Sequence, residues 1–161
     1  MFNLKWLVVL VLFLFAVPPS IADDHAKIIG IWKIVSYEWE NQATSIRQPM
    51  MGKNPTGYII FTPEGRMMVI ITGEGRKTPV TDQDRVGLFN SMSAYTGIYR
   101  VEGDKWITKV DVAWFPGRVG TEQVRFFRFD GERLLVISEW MPPLFGTGGM
   151  GRVIITWERA K

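Results

Sequence analysis

Cysteine is absent from the 161-residue chain and histidine occurs once. Without cysteine there is no disulfide framework and no lipid-modified terminus, so stability must come from an apolar core. With His25 alone, neither a catalytic triad nor a histidine metal site can be assembled, and no catalytic residue, metal or cofactor is expected. Charge of one sign is nowhere concentrated, since 19 Lys and Arg stand against 16 Asp and Glu. A nucleic-acid partner would require a concentrated basic face, and none is expected.

Long apolar runs are scarce as well. The single one extends from Trp6 to Val17 behind Lys5, and Pro18-Pro19-Ser20-Ile21-Ala22 follows it. Small residues at 20 and 22 are what a signal peptidase reads. The pattern predicts a secretory signal over 1–22, cleaved after Ala22, and one exported domain, periplasmic or secreted, over 23–161. The rival is a membrane anchor, but the run is shorter than the ~20 residues a helix needs to cross hydrocarbon. Removing Lys5 takes the formal charge from +3 to +2. His25 would then lie in a frayed terminus, and Asp23-Asp24 in solvated chain.

Short strands make up most of what remains. Apolar or alternating runs recur at 28–40, 57–62, 66–72, 95–101, 105–115, 119–129, 133–140 and 152–158. Pro63-Glu64-Gly65, Gly103-Asp104, Pro116-Gly117 and Asp130-Gly131 punctuate them, so neighbours pair antiparallel in a meander. One segment differs: Thr81 and Asp84 form a capping pair ahead of Val86, Phe89 and Met92, predicting a short lid or plug helix over 81–92. Flat, eight such strands would leave two open edges. Closure removes them, predicting an all-β, eight-stranded antiparallel up-and-down barrel with one short helix.

Alternation assigns the inward faces. They are Tyr95, Tyr99 and Val101; Trp106, Thr108, Val110, Val112 and Trp114; Gln123, Arg125, Phe127 and Phe129; Leu134, Val136, Ser138 and Trp140; and Val153, Ile155 and Trp157. The first three strands are too uniformly apolar to assign. Glu38 and Glu40 read as an exposed strand edge.

Gly30-Ile31-Trp32 looks like the G-x-W signature of lipocalins, in which the tryptophan closes one end of the barrel. Four further blocks are Asn54–Tyr58 with Phe61–Met67, Ala94–Tyr99, Phe115-Pro116 and Val119–Arg125. Together they resemble the bacterial and fungal lipocalin-like domain family across nearly all of 28–159. The resemblance implies a lipocalin-type barrel, closed by Gly30 and Trp32, and little defined chemistry. Where relatives often carry histidines before the Phe-Pro turn, this chain has Thr108 and Lys109.

Gly146-Thr147-Gly148-Gly149-Met150-Gly151 fits G-x-G-x-x-G, but the ten residues after it read as a strand, where a dinucleotide site needs a helix. It is a hairpin connection. Arg125 is the informative residue, because a guanidinium on an aromatic inner face costs several kcal/mol unless partnered. It either bonds internally to Tyr95, Tyr99, Gln123 or backbone carbonyls, or it anchors a polar group of an apolar ligand. The candidate ligand-binding residues are Tyr95, Tyr99, Trp106, Trp114, Gln123, Arg125, Phe127 and Trp140. Three functions remain open: a carrier of a small hydrophobic or aromatic molecule, a cofactor-independent isomerase or cyclase, and an envelope interaction module with a filled barrel.

Overall fold

The computed structural model describes residues 21–143 and 148–161, with side chains described from His25 onward. The apolar run at 6–17, and Gly146 and Thr147 of the glycine-rich motif, lie outside the described residues. Among the described residues nine strands follow helix α1 (Ile21–Ile28): β1 (Gly30–Asn41), β2 (Arg47–Pro49), β3 (Thr56–Phe61), β4 (Arg66–Thr72), β5 (Met92–Glu102), β6 (Lys105–Ala113), β7 (Glu122–Asp130), β8 (Arg133–Ser138) and β9 (Gly151–Arg159). Helix α2 (Asp82–Asn90) joins β4 to β5.

All pairings are antiparallel, and each strand from β3 onward pairs with the next. The start of β1 pairs with β3, while its residues from Trp32 to Asn41 pair with β9. This double pairing closes an eight-stranded barrel, as the meander of turn signals predicts. β2 lies outside it, matched to the end of β1 with Trp39 opposite Gln48.

The connections are sorted by end. At one end β3–β4, β5–β6 and β7–β8 turn over within two to four residues, with Gly65, Gly103 and Gly131 at positive φ. This end is sealed: Ile28 of α1 is fully buried, and Trp32 Nε1 donates to the Ile28 carbonyl at 2.8 Å. Above the seal, Phe61 meets Trp106 and Tyr99 edge-on at 5.0 and 5.1 Å, and Phe127 lies 5.5 Å from Trp106. At the other end the long connections 42–55, 73–91 and 114–121 surround a mouth, with the described residues that follow β8.

Two bulges reset the alternation. In β6, Val110 opposes Gly97 and Val112 opposes Thr96, leaving Asp111 as the extra residue. Trp106, Thr108 and Val110 therefore face inward as expected, but Val112 is turned out (63% exposed) and Ala113 packs against the core. In β1 the extra residue is Val35, so Trp32 and Ile34 are followed inward by Tyr37 rather than Ser36.

Three other expectations change. His25 belongs to α1 and is not in a frayed end. Helix α2 has the expected capping box, with Thr81 Oγ1 accepting from the Asp84 backbone at 3.1 Å, but it buries no residue and plugs nothing. Its Phe89 ring packs 4.6 Å from Trp114 instead. Glu40 is covered (7% exposed), because Arg47 donates to it at 3.1 Å and Arg152, its cross-strand partner on β9, also bonds it.

Candidate ligand-binding site

The barrel interior opens toward the mouth as a narrow cavity to which all eight barrel strands or their turns contribute. Ile59, Val69, Ile71, Val136, Val153 and Ile155 form apolar walls. Trp106 and Trp157, from the closed-end halves of β6 and β9, reach it from below. The polar groups are Tyr37, Ser93, Tyr95, Arg118 and Arg125. Inside it, about 20 Å³ admits the centre of a water molecule. That is room for about one water and lies well below the ~300–1,000 Å³ range of ligand pockets.

Arg125 is placed by the undisturbed alternation of β7. It is 8% exposed and stands beside Trp106 and Ser138 on the neighbouring strands. Its Nη1 donates to the Val124 carbonyl at 2.6 Å and its Nη2 to Gln123 Oε1 at 3.3 Å. Two of five guanidinium hydrogens are thus used on neutral acceptors, which leaves the charge uncompensated.

Arg118 is placed by a turn. Pro116–Arg118 forms one turn of 3-10 helix, with Pro116 presetting its first torsion. The Arg118 and Val119 amides donate to the Phe115 and Pro116 carbonyls, both at 3.0 Å, and Thr121 Oγ1 donates to the Arg118 carbonyl at 2.8 Å. The side chain is thereby directed into the mouth, its guanidinium carbon 5.2 Å from the Tyr95 ring centroid. Burial holds the Arg118 pKa below the usual arginine range, and the charge of Arg125 pushes it the same way, against Tyr95 and Tyr37. Burial likewise raises the Tyr37 phenol, which the two guanidiniums partly offset. Among the described residues, neither arginine is in a salt bridge.

Of the residues singled out from sequence, Tyr95, Trp106 and Arg125 line this cavity, and Gln123 orients Arg125 from its edge. Tyr99 is occupied elsewhere, donating to the Thr62 carbonyl at 3.2 Å near the closed end, and Phe127 is packed between Trp106 and Phe129. Trp114 and Trp140 are not inward. The bulge at Asp111 turns Trp114 onto the outer face, where it borders an apolar groove with Met68, Ile70 and Val112. Strand β8 stops at Ser138, so Trp140 lies beyond it, 38% exposed, under the Arg152 guanidinium at 4.5 Å. Gly30 and Trp32 belong to the closed end. Tyr37, Ser93 and Arg118 were not singled out from sequence.

A closed antiparallel barrel, sealed by a tryptophan and a helix at one end and opening at the other onto a small cavity, defines a calyx protein. The match of the lipocalin-like domain family model over residues 29–160 shows that the chain belongs to that family. No curated protein matches the chain. Barrels of this kind suggest ligand binding in general, and among the described residues no helix is long and apolar enough to cross a membrane.

Proposed function

We propose that this is an exported binding protein that takes a small hydrophobic or aromatic molecule, by one polar group, into the mouth of the barrel. The observation that carries this reading is Arg125: a nearly buried, incompletely bonded guanidinium beside apolar walls, at the end where the long connections gather. A barrel that had merely filled itself would gain nothing from a charge there, since a buried unpaired ion costs several kcal/mol. Replacing it with a packed apolar side chain would be the more stable solution. The cavity as it stands has room for about one water, so an organic ligand enters only as side chains at the mouth move aside.

The same arginines, beside the two phenols Tyr37 and Tyr95, also suit stabilisation of a developing oxyanion, which supports a cofactor-independent isomerase or cyclase as a second reading. Recovering a bound molecule and finding it chemically unchanged after incubation separates carriage from catalysis. Export is tested by expressing the full chain in a Gram-negative host, releasing the periplasm by osmotic shock and sequencing the N-terminus. The reading expects a chain starting at Asp23. A full-length chain in the cytosol would contradict it.

A further inference from the structure

The polar lining of the cavity is unbalanced in one direction. Arg118 and Arg125 supply two positive charges, and among the described residues no carboxylate lines the space. The indole nitrogens of Trp106 and Trp157 are buried donors with no hydrogen-bond partner among the described residues. Tyr37, Ser93 and Tyr95 add three hydroxyls that donate as readily as they accept. Every group with a fixed preference therefore donates, and the two strongest repel each other. We infer that the ligand is a small organic acid whose carboxylate is held between Arg118 and Arg125, with its apolar part against the barrel walls.

This inference rests on the binding reading above and adds the charge of the ligand and the role of Arg118. A carboxylate offers four lone-pair directions to two forked donors, and it cancels the repulsion between two guanidiniums that have only neutral partners. Arg118 stands on the turn at the mouth, whereas Arg125 is fixed within a strand, so an entering acid meets Arg118 first. Two consequences distinguish this from a structural role. Removing either charge abolishes the preference for acids, and removing Arg118 makes the ligand-free protein more stable.

The test is a titration calorimetry series on the purified protein with three matched pairs, each acid against its alcohol: 3-phenylpropionate and 3-phenylpropan-1-ol, benzoate and benzyl alcohol, octanoate and octan-1-ol. For at least one pair the acid is expected to bind about tenfold or more tightly than the alcohol, with the advantage weakened by salt. In Arg118→Gln and Arg125→Gln the advantage should fall to within about twofold, and ligand-free Arg118→Gln should melt above the wild type. Equal affinity for acid and alcohol overturns the anion inference while leaving the barrel a binding site. No binding of any of the six overturns both. An Arg118→Gln protein that melts lower yet retains the acid preference assigns Arg118 to the fold and overturns its role, a result that the wild-type comparison and the Arg125→Gln protein keep separate from misfolding.

Discussion

Arg159 occupies the space that a side chain on Gly30 would need. Gly30 has φ +130°, and a Cβ built on it would overlap Arg159 Nη1. The same guanidinium donates to the carbonyls of Ile29 and Lys27 and lies 4.0 Å from the Trp32 ring centroid. One glycine thus lets one arginine tie α1, the start of β1 and the closing tryptophan together. Gly30→Ala should destabilise the fold by about 1–3 kcal/mol through backbone strain alone. Urea denaturation measures it, and an unchanged midpoint would show that the closed end can rearrange.

Glycines at 97 and 87 should behave oppositely. A Cβ on Gly97 would overlap the Lys109 carbonyl across the β5–β6 pair, next to the bulge, whereas one on Gly87 in α2 meets nothing within 4 Å. Gly97→Ala is expected to cost about 1–3 kcal/mol. Gly87→Ala should gain about 0.5–1 kcal/mol from helix propensity. Both are read in the same urea series, and two shifts of the same sign would contradict this packing.

How far the site was legible follows from where alternation runs unbroken. Arg125 and Tyr95 lie on strands whose period holds from end to end, and their inward direction could be read directly. Trp106 could too, because it precedes the bulge at Asp111. Trp114 follows that bulge, so alternation counted through it points to the wrong face. A bulge adds one residue without changing composition, and Asp111 carries no turn signal to betray it. Tyr37 was hidden twice, by a strand apolar on both faces and by the bulge at Val35. Arg118 has no period at all. Its only signal is Pro116-Gly117, a rigid turn that ends in a cation between two inward-facing strands.

Acid should loosen the covering of β1. Arg152 and then Arg47, by hydrogen bonding, hold the Glu40 pKa below its usual value of 4.5 despite partial burial. The native state therefore binds this proton less tightly than the unfolded chain. The contribution is fully present above about pH 4.5 and is lost as pH falls through the lowered native value. Glu40→Gln should cost on the order of 1–3 kcal/mol at neutral pH and flatten the acid limb of the stability curve. An acid limb identical in variant and wild type would remove Glu40 from that role.

Alkali should act through Tyr37. Its pKa is raised above 10.0 by burial, so the native state holds the proton more tightly than the unfolded chain. The linked stability is intact below pH 10 and declines as pH rises through the raised native value. In a phenolate absorbance titration, Tyr37→Phe should remove a late-titrating group, and its stability should fall less steeply above pH 10. Loss of an early-titrating group instead would mean that the guanidiniums outweigh burial.

The central claim is that the barrel holds a small organic molecule through its arginines. Native mass spectrometry of the gently purified protein, compared with its denatured mass, tests this most directly. The account predicts a stoichiometric non-covalent adduct of low mass that recovers as an acid and is diminished in Arg125→Gln. A mass equal to the bare chain, together with tryptophan fluorescence indifferent to every acid and alcohol of the series, would contradict it.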